Sequence, residues 1–166
     1  LENHEKLQSY YIALKDLLRF NLIIELNRLF EDYLIIVGNK WKPHIKSSLK
    51  SNYNARYLKS LYKGNICLDF GSKWGNNCLY PRSTNIIESG GVLLQSTQSD
   101  TKEIFINNYP NTSFNNLDEL SKKIETLLQN KKEIKNLFNS QYELFNNENL
   151  NYGTLKNFLL ISKKNK

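Results

Sequence analysis

The chain has 166 residues, 40% of them hydrophobic and 23% charged, with a net charge of +7, a pI of about 9.3 and a mean hydropathy of -0.56. That length suits one ordinary domain with a sizeable core and leaves no room for a second full one. Charge interrupts the apolar runs around Leu22-Ile23-Ile24 and Leu34-Ile35-Ile36-Val37 well short of the ~20 residues a bilayer span needs, so a membrane-embedded protein is excluded and a soluble domain expected.

Within residues 5–31, Leu7, Tyr11, Leu14, Leu18, Leu22, Leu26 and Phe30 recur at steps of three or four, which predicts one long helix with a single apolar stripe. The β-branched run Leu34–Val37, closed by Gly38, predicts a buried parallel strand and its turn, with Trp41-Lys42-Pro43-His44 in the loop behind it. A short helix over Asn54–Tyr62 and a strand over Asn65–Phe70 follow, then the polar loop Gly71–Asn77. Pro81 opens a helix that runs through Ile86 and Ile87 to a Gly90-Gly91 stop, and Val92–Gln95 is a third strand.

Asp100–Ile106 reads as another short helix and Thr112–Phe114 as a short strand. Asn116 and Glu119 form a capping box for a helix with Leu117, Leu120, Ile124, Leu127 and Leu128 on one side. Ile134, Leu137, Phe138, Tyr142 and Phe145 mark the next helix, and Leu155, Phe158, Leu159 and Ile161 the last. Strands alternating with helices make an open, mostly parallel Rossmann-like α/β sheet, with helices on both faces, the economical fold. Residues 1–150 form that domain, and 151–166 a C-terminal helix with a basic tail.

The positive charge invites a polyanion partner, but it is spread along the chain, and arginine occurs only at Arg19, Arg28, Arg56 and Arg82. A basic surface making weak peripheral contact with anionic lipid is favoured over dedicated nucleic-acid binding. Cys67 and Cys78 have no CxxC partner and no metal-type His/Cys spacing, so they read as reduced thiols of a cytoplasmic protein without a metal. The start, Leu1-Glu2-Asn3-His4-Glu5, lacks an initiator Met and a signal pattern, as expected of a piece of a longer protein. No HExxH, GxGxxG or GxxxxGK[ST] motif occurs, and no Ser-His-Asp order, which removes the common zinc, dinucleotide, P-loop and hydrolase readings.

Ligands of open parallel sheets sit outside the carboxyl ends of the strands, where helix N-termini aim unpaired N–H groups. Three segments qualify: Gly38–His44, Gly71–Arg82 and Gln95–Asp100. The middle one is the richest, setting Lys73 and Arg82, several amide and hydroxyl donors, Trp74 and Tyr80 between a strand end and a helix start, which suits a diphosphate. Asp69, near the end of its strand, needs a partner if buried, and Lys73 is the counter-ion the sequence offers. His44 reads either as solvent-facing or as a ligand contact.

The stretch from Tyr57 to about Asn147 resembles the carboxyl-terminal, donor-binding domain of GT-B fold glycosyltransferases, in particular bacterial families related to spore-maturation glycosyltransferases. Tyr62–Phe70, Asn76-Asn77 with Tyr80-Pro81-Arg82-Ser83, and Ile86–Leu94 carry the resemblance, followed by Glu103-Ile104-Phe105 and the Asn116–Leu128 helix. It implies one half of a GT-B fold, with 1–150 holding a nucleoside diphosphate sugar as donor substrate rather than a cofactor. Arg82 would meet the pyrophosphate; the loop's own residues add Lys73 as a second cation on the leaving diphosphate and Tyr80 and Ser83 as further donor-binding candidates. The loop from Gly38 to Trp41 would lie near the base, and Gly90-Gly91 would allow close helix–strand packing. Where relatives carry a ribose-binding Glu three residues after that Arg, this chain has Asn85, with Glu88 one turn on.

The implied activity is sugar transfer to a glycan, lipid or protein acceptor, with an amino-terminal GT-B domain supplying the acceptor side and the catalytic base. The location implied is cytoplasmic, peripheral to the inner face of the membrane. Two rivals stand beside it: a non-catalytic α/β module binding nucleic acid or a protein through its basic surface, with Trp41, Trp74 and Tyr80 available for stacking, and a degenerate glycosyltransferase-like scaffold.

Overall fold

The structure, a computed structural model, describes residues 2–52, 54–71, 81–98, 102, 105 and 109–146. Among them run helix α1 (Glu2–Phe30), α2 (Ala55–Tyr62), strand β1 (Ile66–Asp69), α3 (Pro81–Glu88), β2 (Val92–Ser96), the single turn α4 (Tyr109–Thr112), β3 (Ser113–Phe114), α5 (Leu117–Gln129) and α6 (Lys131–Asn146). The helix expected over 100–106, apart from residues 102 and 105, the loop 72–80 and the final helix with its basic tail lie outside the described residues.

The strands are all parallel in the order β1-β2-β3, with Asp69 opposite Gln95 and Gln95 opposite Ser113. Side chains of β2 alternate between two faces. Val92 and Leu94 enter a core with Leu26 and Phe30 of α1, Leu120, Ile124 and Leu127 of α5, and Leu137 of α6. Leu93, out of phase with them, packs on Ile86 and Ile87 of α3 and on Phe105. Both faces are therefore covered, and the domain is an open α/β sheet of Rossmann-like type.

Local chemistry fixes the element ends. Asn54 caps α2 by accepting from the N–H groups of Arg56 and Tyr57. At the end of α3, Gly91 N–H donates to Ile86 O and Gly90 N–H to Ile87 O, with Gly90 at φ 86°, a Schellman stop. A Cβ on Gly91 would stand 2.7 Å from the Tyr62 carbonyl oxygen, so only glycine lets β2 start this close to α2. In α5 the cap differs in detail from the expected box. Asn116 Oδ1 accepts from Glu119 N–H at 2.9 Å, but the Glu119 carboxylate reaches back to Asn115, taking both its backbone and side-chain N–H groups at 3.0 Å.

Two expectations are corrected. Residues 34–37 do not join the sheet: they make one isolated parallel bridge, Val37 to Leu49, through Gly38 N–H to Leu49 O and Leu49 N–H to Ile36 O. Ile36 is buried but Ile35 is 59% exposed; a run of this composition becomes a central strand only where neighbours flank it. The α1 stripe is also only partly used. Leu26 and Phe30 are buried, whereas Leu7, Leu14 and Leu18 are 69%, 54% and 59% exposed.

One device has no counterpart in the sequence patterns. β3 is two residues long and pairs only with Gln95 and Ser96, which leaves the Leu93 peptide groups on that side without a strand. The buried amide of Gln141, on α6, fills the gap: Leu93 N–H donates to Gln141 Oε1 at 2.9 Å, and Gln141 Nε2 donates to Leu93 O at 2.8 Å and to Thr112 Oγ1 at 3.1 Å. A primary amide has the donor and acceptor of a peptide, so it completes the ladder as a strand residue would.

Candidate functional site

The carboxyl ends of β1 and β2 gather the polar groups. Asp69 closes β1 and is fully buried. Arg82, the second residue of α3, donates from Nη2 to Asp69 Oδ1 at 2.7 Å, and the Ser83 hydroxyl donates to Oδ2 at 2.6 Å. The Gly71 N–H adds a third bond to Oδ1 at 2.9 Å. Burial alone would push the Asp69 carboxyl up, but the Arg82 hydrogen bond and charge, then Ser83 and Gly71, outweigh it and hold it below the usual carboxylate range. Asp69 is thus an ionised, fully bonded anchor.

Only one end of that pair is sealed. The Arg82 side chain is 44% exposed while Asp69 is at 0%. The bond to Asp69 thus holds the guanidinium from its buried side while part of the Arg82 side chain stays exposed. Among the described residues, the counter-ion of Asp69 is therefore Arg82; Lys73, which the sequence offered for that task, lies outside them, as does Tyr80.

The other sequence-derived residues divide by position. Ser83 is fully buried and committed to Asp69. Asn85 and Glu88 are exposed on α3. Helix geometry sets Asn85 roughly 60° around the axis from Arg82, and Glu88 roughly 120° around and ~9 Å along, so Asn85 is the nearer neighbour of the Arg82 face. Gly38 and Trp41 belong to the loop after α1. There Trp41 stacks on Phe20 with ring centroids 5.6 Å apart, and the exposed His44 meets the same ring edge-on at 4.8 Å.

Arg19 escaped the sequence reading, and Gly71 and Gln95 entered it only as the first residues of candidate segments, without the contacts they make. Arg19, in mid-α1, donates from Nη2 to Gly71 O at 3.0 Å and lies over the Phe70 ring. Gly71, at φ 71°, turns the chain out of β1; a Cβ there would fall 1.8 Å from the amide nitrogen of the buried Gln98. Gln95, opposite Asp69, is fully buried, and neither amide atom of its side chain has a hydrogen-bond partner among the described residues. Such contacts join positions far apart in the chain and leave no local signature. An open groove of about 380 Å³, lined by Glu119, Lys122, Lys123, Glu133, Asn136 and Ser140 among others, runs between α5 and α6 and includes none of these groups.

The fold and this polar edge define a Rossmann-like α/β domain with two of its four arginines, Arg19 and Arg82, at the end of β1. The sequence model of the glycosyl transferase-like family matches residues 19–159, and the chain belongs to that family, which supports a function of glycosyltransferase type. Comparison with curated proteins and with solved structures finds no match. No helix among the described residues is long and apolar enough to cross a membrane.

Proposed function

We propose that this chain is the donor-binding part of a GT-B type glycosyltransferase, holding a nucleoside diphosphate sugar while the sugar passes to a glycan, lipid or protein acceptor. The observation that carries the reading is Arg82: a half-exposed guanidinium at the head of α3, aimed by the buried Asp69, in a chain of the glycosyl transferase-like family. In the transfer the bond from the anomeric carbon to the diphosphate breaks, an acceptor oxygen bonds that carbon, and the acceptor proton leaves to a base. Negative charge grows on the departing diphosphate, where Arg82, Lys73 and the first N–H groups of α3 would stabilise it. Asn85 would hydrogen-bond the ribose, with Glu88 beyond it, and Trp41 would border the base. The base and acceptor site belong, in this reading, to an amino-terminal partner domain. The cell compartment is the cytoplasm, with the basic surface touching the inner membrane face.

Titration of the protein with UDP, GDP and their sugars tests the reading. Binding at millimolar concentration or tighter is expected, weakened about tenfold in Arg82→Lys, which keeps the charge but loses the planar guanidinium suited to a phosphate. A rival, a glycosyltransferase-like scaffold without nucleotide affinity, draws on the same ion pair, since bonding Asp69 gives Arg82 a structural task of its own. If no nucleotide binds, the scaffold is the better account.

A further inference from the structure

The turn that leaves β1 touches a second arginine. Gly71 N–H is bonded to the carboxylate oxygen that Arg82 grips, and Gly71 O accepts from Arg19. One carboxylate oxygen and one glycine residue thus connect two guanidiniums, whose linked nitrogens are at most about 12 Å apart given standard backbone dimensions. The two arginines differ in electrical state. Arg82 faces a carboxylate; the contacts of Arg19 are a neutral carbonyl and the face of Phe70. No acid touches Arg19 among the described residues, and its side chain is part-buried, where an uncompensated charge is drawn to a counter-anion.

The geometry points to Arg19 as a second anion-binding residue at this edge: Arg82 takes one phosphoryl group and Arg19 an adjoining one, so that the site selects two linked phosphates over one. The inference deepens the donor-binding reading and rests on it for the identity of the anion, but a base-free probe tests it separately. α1 thereby contributes to the site, although the resemblance assigned no role to any residue before Gly38.

The experiment measures affinity of the full chain for inorganic pyrophosphate and for inorganic phosphate, by calorimetry at low ionic strength, in wild type, Arg19→Gln, Arg19→Lys and Arg82→Lys. Arg19→Gln should weaken pyrophosphate about tenfold and leave phosphate unchanged, because one charge-assisted contact is lost and only the larger anion uses it. Arg19→Lys should restore part of the loss, and Arg82→Lys should weaken both anions. Melting temperatures of all variants accompany the titrations: a purely structural Arg19 would lower the melting temperature with the ratio of the two affinities unmoved. An unmoved ratio overturns the inference, even if nucleotides bind through Arg82. Absence of pyrophosphate binding in wild type overturns it as well. Pyrophosphate binding that depends on Arg19, in a protein indifferent to nucleotides, sinks the donor reading and keeps the inference.

Discussion

Asp69 is fully buried and Arg82 is not, and this asymmetry decides how each substitution behaves. Removing one partner of a buried ion pair costs about 3–5 kcal/mol, discounted here because the Arg82 end lies in solvent screening. Arg82→Ala strands a buried carboxylate and is expected to cost about 2–3 kcal/mol. Asp69→Asn leaves a guanidinium that can turn to water and should cost about 1–2 kcal/mol. The double variant should fall short of the sum, as a denaturant double-mutant cycle would show.

The pH dependence has a definite sign. The folded pKa of Asp69 lies below its unfolded value, so its stabilisation is complete above the unfolded value of about 3.9 and fades as pH falls through the lower, folded one. Acid titration of the melting temperature should drop less steeply below pH ~4 in Asp69→Asn than in wild type. Equal slopes would mean that Asp69 is not held low by its partners.

At the level of elements, α1 has two halves with different tasks. Leu26 sits at 0% exposure in the core and Leu14 at 54% outside it, so Leu26→Ala should cost about 2–5 kcal/mol and Leu14→Asn within about 0.5 kcal/mol. Equal losses in chemical denaturation would place the exposed stripe in a packed environment. The sequence could not separate the halves, because a stripe of leucines has the same period whether or not a sheet lies beneath it. The misread strand has a similar cause: Leu34–Val37 and Val92–Gln95 have similar local composition, and only the second lies between two partners. Capped and terminated helices were legible because their signals are local, as Asn116 and the Gly90-Gly91 stop demonstrate.

For the molecule as a whole, alternation of strands and helices was enough to give the class of fold, since the parallel sheet follows from connection rules rather than from particular side chains. The candidate site was legible to the extent that Arg82 starts a helix and Asp69 ends a strand. Their pairing was not, because Lys73 lies much closer to Asp69 in the chain than Arg82 does. Arg19 was invisible for the same reason, fifty-two positions from the glycine it touches. A basic chain of net charge +7 also has a long-range field, yet a small anion gripped by two guanidiniums should lose little affinity with salt beside the steep loss of a polymeric one.

The amide of Gln141 standing in for a missing strand ties two protective layers of the fold together. The Leu93 proton is shielded by a side chain from α6, whereas the Val92 N–H is bonded to the Asn65 carbonyl. Deuterium should enter Leu93 whenever α6 lifts, and enter Val92 only when the β1–β2 pair itself opens. In Gln141→Leu, Leu93 exchange should accelerate by orders of magnitude with Val92 nearly unaffected; parallel acceleration would mean that α6 and the sheet open as a single unit.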